Sequence, residues 1–435
     1  MSAGKNLASL NVFRALAAFW VVVAHCQIWG GAYLFPIPGP KNAVDLFMMI
    51  SGFLMARTST VRWIREPLDE SSARLSFWIR RYFRLAPVLY VSIGVAIVFA
   101  PIICTGLAWL QEANRRAWPT GGVYDANSYD FSIASIVAHA LFVSGVIPRF
   151  TASLPLPDWS LSLEAQFYLA FPFIVVASRR IGIGRAVAAV MVIAWALNLF
   201  FVPTVRFYEP SFLSIKLEYF LAGFLLFHAI DTARPWQERL GLAFFGSMLV
   251  TIETHMVSSP LIAVTLYLCV AVTGFLETHD RLPAWLHRVA HSRVVTFAAE
   301  SSYAVYLVHG LFLGVVGFML REVGAITWTL EMRTIALLLV VPLVSYAAAW
   351  FLVRWIELPG IRLGSRIIER IAVRQTDRVT APRRTRATKV RTWLSRHAVT
   401  PTVAPAPIAG PSPAEGNTVL RRPAATGASC PPARE

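Results

Sequence analysis

Residues 8–28 read ASLNVFRALAAFWVVVAHCQI, a run in which Arg14 is the only fully charged side chain. About 20 predominantly apolar residues in helical conformation span the hydrocarbon core of a bilayer, so this stretch predicts a transmembrane helix. Working outward, residues 15–40, 85–111, 186–205, 256–276, 301–320 and 334–353 contain no Asp, Glu, Lys or Arg. The 435-residue chain is 56% hydrophobic and only 15% charged, where a soluble domain carries about 25% charged residues. That balance excludes an ordinary soluble globule and predicts an all-α, polytopic membrane protein.

Apolar blocks that reach spanning length, once polar side chains facing the bundle are allowed, give ten helices at roughly 8–28, 43–57, 82–105, 160–178, 186–203, 212–230, 240–256, 260–277, 298–320 and 333–356. An even number puts both termini on one side. Basic residues are retained on the cytoplasmic side of spans. Arg57, Arg62, Arg65, Arg74, Arg80, Arg81 and Arg84 crowd one loop, and Arg179, Arg180, Arg185, Arg234, Arg239, Arg281, Arg288 and Arg293 occupy the loops alternating with it. The opposite loops hold Lys41, Arg115, Arg116, Arg149, Arg206, Arg321 and Arg333. Both termini are therefore expected to be cytoplasmic, with residues 1–360 as the membrane domain and 361–435 as a basic, Pro-rich, disordered tail. From Arg354 onward the chain holds 15 basic and 5 acidic residues, a net +10 of the total +16. The tail's single late aromatic, Trp393, argues for anionic lipid as its partner and against single-stranded nucleic acid, which needs a set of stacking rings. Cys26, Cys104, Cys269 and Cys430 lie too far apart for a disulfide framework or a metal-binding pair. The N-terminal stretch lacks a signal-peptidase pattern and reads as a retained span.

Ionisable groups inside spans are costly and mark function by default. Arg14 and His25 are eleven residues apart; eleven steps of about 100° return to nearly the same helix face, roughly 16 Å along the axis. Asp45, near the start of the second span, and Glu164, one turn into the fourth, are expected at the depth of His25. A carboxylate on one imidazole nitrogen fixes the tautomer, and the other nitrogen then takes a proton from a hydroxyl. Arg81 and Arg84, at i and i+3 in the opening of the third span, form with Arg14 a cationic pocket suited to phosphates, because guanidinium offers fork-shaped donors to phosphate oxygens. The alternatives are structural: His25 bridging helices, Asp45 capping its helix, and the arginines anchoring at the interface. Lys216, Glu218, His309 and Glu357 read as structural pairs, and Gly310-x-x-x-Gly314 as a weak packing motif. No His, Cys or acidic cluster has the spacing of metal ligands.

Arg14 with ten residues before His25, Ala43-Val44-Asp45-Leu46-Phe47 running to Ser51-Gly52-Phe53-Leu54, Arg81-x-x-Arg84 with Pro87, Trp159-Ser160-Leu161-Ser162-Leu163-Glu164 running to Tyr168, Ser302-Tyr303-Ala304-Val305-Tyr306-Leu307-Val308-His309 and the closing Ile356-Glu357-Leu358-Pro359 together resemble the acyltransferase 3 family of integral membrane O-acyltransferases. The motifs run in order from residue 7 to about 359. Met48-Met49-Ile50 departs from the more usual Phe-Val-Leu. The resemblance implies transfer of an acyl group, commonly acetyl, from cytoplasmic acyl-CoA to a hydroxyl of a glycan or other envelope or secreted acceptor, at the bacterial inner membrane. It implies His25 as the catalytic histidine, Arg14 as its spaced partner and Arg81 and Arg84 as acyl-CoA contacts. Acyl-CoA is then expected as donor substrate with no permanently bound cofactor, and the residue spacing gives no metal site. A transporter or flippase for a lipid-linked sugar or small metabolite is the competing reading.

Overall fold

A computed structural model describes residues 7–114, 129–201, 205, 207, 209–251 and 259–380, with side chains to residue 373. Every regular element among them is a helix: α1 Ser9–Gly30, α2 Pro40–Arg62, α3 Ser71–Val98, α4 Ala100–Ala113, α5 Ile133–Ala140, α6 Trp159–Ile181, α7 Ile183–Phe201, α8 Leu213–Ala229, α9 Trp236–Thr251, α10 Pro260–Thr278, α11 Ala284–Ala290, α12 Arg293–Glu300, α13 Ser302–Glu322, α14 Leu330–Leu352 and α15 Leu358–Thr380. Eight helical segments among these residues are long and apolar enough to cross a membrane: α1, α2, α3, α6, α7, α10, α13 and the run from Leu330 to Val373. Their outer faces carry fully apolar, exposed side chains such as Leu199, Phe200, Leu261 and Leu343, which lipid covers. The protein is a multi-pass membrane protein.

The expected ten spans change in three places. The predicted span 82–105 is cut at Phe99, whose φ of −101° and ψ of 15° leave helical geometry; Pro101 follows, and with no amide hydrogen it begins a helix more readily than it continues one. The predicted spans at 212–230 and 240–256 are α8, with 17 residues, and α9, with 16, both shorter than the eight; residues 252–256 lie outside the described residues, as do Arg115, Arg116 and Arg206. The boundary placed at 360 falls inside α15. A π-turn at Val353–Glu357 joins α14 to α15, Pro359 having no amide hydrogen to continue the regular ladder. Gly360 and Gly364 then let α15 lie against Pro87 and Phe83 of α3. Arg374–Glu435 separates from Met1–Val373 as a second unit; residues 381–435 lie outside the described residues.

α8 is the axis of the bundle. Every residue from Ser214 to Phe227 is buried, Lys216 and Glu218 among them, so the helix has no solvent face. It packs against α2 at a crossing made of glycine: a Cβ at Gly52 would strike the carbonyl of Phe220, and one at Gly223 the carbonyl of Met49. Such small residues allow two backbones to approach without a polar groove. Gly223→Ala is expected to destabilise the fold by about 1–3 kcal/mol, read as a lowered unfolding midpoint of the detergent-solubilised protein, because the atom it meets is backbone and cannot swing aside. The same device joins α4 to α13, through Gly106 against Gly314 and Gly317. Gly310 faces Pro155 and Pro157 instead, so the packing motif is Gly314-x-x-Gly317 and not the predicted Gly310 pair.

The N-terminus of α1 is held by a distant carboxylate. Glu277 of α10 accepts hydrogen bonds from the amides of Ala8, at 2.7 Å, and Ser9, at 3.1 Å, satisfying two of the donors that a helix start leaves open.

Candidate active site

α2 has two faces with different work. Residues 45, 49 and 52 turn toward α8, while Val44, Phe47, Met48, Ser51, Leu54, Met55 and Thr58 line a cavity of about 310 Å³. Three arginines reach into it. Arg14 donates to Ser302 Oγ at 3.1 Å. Arg84 pairs with Glu357, which the π-turn delivers. Arg81 lies over the rings of Phe77, 5.6 Å from the centroid, and Tyr168, at 5.4 Å. Glu164 shares this cavity: Ser51 Oγ donates to it at 3.1 Å, Tyr168 donates through its hydroxyl, and it interacts electrostatically with Arg14 and Arg84. An adjoining cavity, sharing Thr58, Arg81 and Arg84, adds Arg62 and Arg80 with Glu66 between them.

A further cavity of about 350 Å³ meets the first at Val44 and Tyr306, which line both. It contains His25, His309, Trp29, Trp159 and the pair Lys41–Glu209, whose Nζ and Oε2 are 3.1 Å apart. Burial raises the Glu209 carboxyl above its ordinary range, against the pull of Lys41.

Backbone carbonyls fix which nitrogens of the His25 and His309 rings carry protons. His309 Nδ1 is 2.6 Å from the carbonyl of Tyr306, and His25 Nδ1 is 2.9 Å from the carbonyl of Val21. A carbonyl only accepts, so each Nδ1 carries its ring's proton. His309 Nε2, 3.1 Å from His25 Nδ1, is then a lone pair receiving part of that N–H. His25 Nε2 remains as the basic atom of a neutral ring that lines the cavity.

Tyr306 stands between the two cavities. Its ring is wedged between Phe47, 6.1 Å away edge-on, and His309, at 5.9 Å. Its phenolic oxygen accepts a hydrogen bond from Ser160 Oγ at 2.8 Å, which leaves the phenol's own proton to donate at the junction.

The predicted constellation of His25 with Asp45 and Glu164 is therefore not what the fold assembles. Asp45 lies on the α8 face of α2, where its Oδ1 is 3.1 Å from Lys216 Nζ, both side chains buried. A lysine on a helix with no solvent face requires a carboxylate partner, and Asp45 supplies it. Glu164 belongs to the arginine cavity. The rotation of α2 and α6 decided the neighbours of these groups. His309, read as structural, is the residue that meets His25. Seven residues beyond Ser302, which binds Arg14, it lies about 10 Å further along α13, and the depth argument applied to that helix would have found it.

One more trio escaped the sequence. His139 Nδ1 is 2.5 Å from Asp158 Oδ2, and its Nε2 is 2.9 Å from Ser153 Oγ. The contacts are those of a hydrolase triad, but Ser153 lines none of these cavities and its hydroxyl is also engaged by Ser135 and the Phe150 carbonyl. The trio fixes loop 150–158, whose Thr151, Leu154, Pro155 and Pro157 wall the His25 cavity.

Comparison with known proteins gives the family of the chain. Residues 7–354 match the family described as an acyltransferase domain. The chain belongs to the acyltransferase 3 family. Among its relatives, Nodulation protein 10 of Rhizobium leguminosarum bv. viciae is 27% identical over 331 residues, 70% of this chain and 82% of that protein. Peptidoglycan O-acetyltransferase OatA of Listeria monocytogenes is 27% identical over 169 residues, covering 39% of this chain and 24% of its own length. Acyltransferase MdmB of Streptomyces mycarofaciens is 29% identical over 187 residues, 41% of each. The chain thus matches less than half the length of the latter two. No solved structure matches it. As a member of the acyltransferase 3 family, the protein is a membrane acyltransferase.

Proposed function

We propose that this acyltransferase takes an acyl group, acetyl in the simplest case, from cytoplasmic acyl-CoA and passes it to a hydroxyl of a carbohydrate or other envelope or secreted acceptor at the bacterial cytoplasmic membrane. The observation that carries the reading is the series of cavities along α2: a guanidinium-rich cavity and a histidine chamber that share Val44 and Tyr306 in their linings. From Thr58 to Val44 is 14 residues, or about 21 Å, a length suited to an extended pantetheine arm with its pyrophosphate at Arg81 and Arg84. The arginine-rich end faces the cytoplasm in this reading, together with both termini and the basic tail. Donor and acceptor are substrates, and no resident cofactor or metal enters the scheme.

In the His25 chamber, Glu209 accepts hydrogen bonds from acceptor hydroxyls and the indoles of Trp29 and Trp159 give an apolar wall for the acceptor's carbon skeleton. The acceptor hydroxyl yields its proton to His25 Nε2 while its oxygen bonds to the thioester carbonyl carbon. The Tyr306 hydroxyl donates to the oxyanion that forms, and His309 Nε2 steadies the His25 imidazolium through its Nδ1–H. Collapse breaks the carbon–sulfur bond, and the departing thiolate takes the proton from His25. The products are an ester and free CoA, with atoms and charge balanced.

Membership in an acyltransferase family favours bond formation over the transporter reading. The direct test is release of CoA thiol from acetyl-CoA by the purified full chain given envelope glycan fractions or small hydroxyl acceptors; no release with any acceptor would overturn the proposal. Arg81→Gln is expected to raise KM for acetyl-CoA about 10- to 100-fold with kcat little changed, because a lost phosphate contact weakens ground and transition states alike. A fall in kcat at unchanged KM would place Arg81 elsewhere in the mechanism.

A further inference from the structure

A fourth cavity, of about 310 Å³, opens between α2, α6, α8 and the start of α9 and takes no part in the scheme above. Its polar lining comprises Ser59 and Thr60 of α2, Ser178 and Arg179 of α6, His228 of α8, and Arg234 and Glu238 around the α8–α9 turn, with Trp63 as its aromatic floor. The Arg179 guanidinium lies over the Trp63 ring, 3.9 Å from the centroid, which seats it on a rigid aromatic support. Arg234 pairs with Glu238 one turn on.

Three buried atoms of this lining, Ser178 Oγ, His228 Nδ1 and Arg234 Nε, have no hydrogen-bond partner among the described residues. Buried polar groups are normally satisfied, and a cluster of exceptions around one hollow indicates a missing partner. Two guanidinium groups and a hydroxyl supply donors, and Glu238 is the single carboxylate of the lining. Such a set calls for an acceptor-rich anion, and a phosphate dianion outcompetes one carboxylate for Arg234.

The position of the cavity identifies the phosphate. Ser59 lines both this cavity and the neighbouring mouth that holds Arg62, Arg80, Arg81 and Arg84. CoA carries a pyrophosphate between its nucleoside and its pantetheine arm, and a separate phosphate on the ribose 3′ oxygen. With the pyrophosphate at Arg81 and Arg84, the ribose phosphate falls on the side away from the thioester, toward Ser59 and Trp63. We propose that the Arg179–Arg234 cavity is the subsite for the 3′-phosphate of the donor nucleotide. The proposal rests on the reading in which acyl-CoA is the donor, and it makes this cavity the feature that selects CoA over its dephosphorylated form.

The test compares binding of CoA and 3′-dephospho-CoA to the full chain in detergent by titration calorimetry. The unmodified protein is expected to bind CoA at least about tenfold more tightly. Arg179→Gln and Arg234→Gln are each expected to bring that ratio below about threefold while leaving dephospho-CoA affinity within about twofold. Damage to the fold would weaken both ligands together and leave the ratio high, which is why the ratio is the readout. Equal binding of both forms by the unmodified protein, or a ratio unchanged in both variants, would overturn the subsite while leaving the donor reading intact. A phospholipid found by mass spectrometry on the unmodified protein and absent from both variants, with no preference between the two nucleotides, would assign the cavity to a lipid headgroup and overturn the proposal as well. If neither nucleotide binds the unmodified protein, the donor reading itself falls, and the subsite with it.

Discussion

His25→Ala is expected to lower kcat for acyl transfer by about two to four orders of magnitude, the range contributed by a positioned general base. The geometry behind this figure is the assignment of protons in the histidine pair. Two backbone carbonyls hold both Nδ1 protons, leaving His25 Nε2 as the base in the chamber that borders the donor duct. Removal of the ring enlarges a cavity that already exists, so the protein should fold, and the arginines that hold the donor are untouched. The loss is therefore expected in kcat with KM for the donor nearly constant. Steady-state kinetics on the purified variant, with its unfolding midpoint as a control, reads both quantities; turnover within a few-fold of the unmodified protein would remove His25 from the chemistry.

Tyr306→Phe is expected to cost about 10²–10³ in kcat, the usual loss when one donor to a tetrahedral oxyanion is deleted. The phenol accepts from Ser160 and sits where the two cavities meet, so its proton is directed at the place a thioester carbonyl must pass. Phenylalanine keeps the ring between Phe47 and His309 and removes only the oxygen, which makes the substitution conservative in shape. A scaffolding role for Tyr306 predicts a lowered unfolding midpoint with near-normal turnover. The catalytic role predicts the reverse, and measuring both in one preparation separates them.

Much of this arrangement is written in the chain at the level of depth. The eleven-residue interval between Arg14 and His25 puts guanidinium and imidazole on one stripe, and the structure has the two side chains lining adjoining cavities. Arg81 and Arg84 line one cavity, as their spacing requires, although α3 begins at Ser71 and places them within the helix and not at its opening. Rotation is harder to read. Asp45 is one residue from Val44, yet one faces Lys216 and the other the duct, because neighbours on a helix differ by about 100°. Knowing which side of α2 meets α8 required Gly52 and Gly223 to be recognised as a pair, and no local pattern connects residues so far apart. Glu164 was misplaced for the same reason. His309 and the His139 trio depend on contacts between distant segments, and nothing local announces such a contact. The break at Phe99 had a local sign in Pro101.

The shortness of α8 has a consequence for how the molecule meets its bilayer. Seventeen residues give about 25 Å of helix, short of the roughly 30 Å hydrocarbon thickness, and a lone helix of that length would pinch the surrounding acyl chains. Because α2, α6, α7 and α9 sheathe it, no acyl chain touches it, and the mismatch is absorbed inside protein. The requirement to match the host leaflet pair then falls on the peripheral helices alone. A change in lipid chain length would strain the rim of the bundle and reach the α2–α8 crossing only through its neighbours.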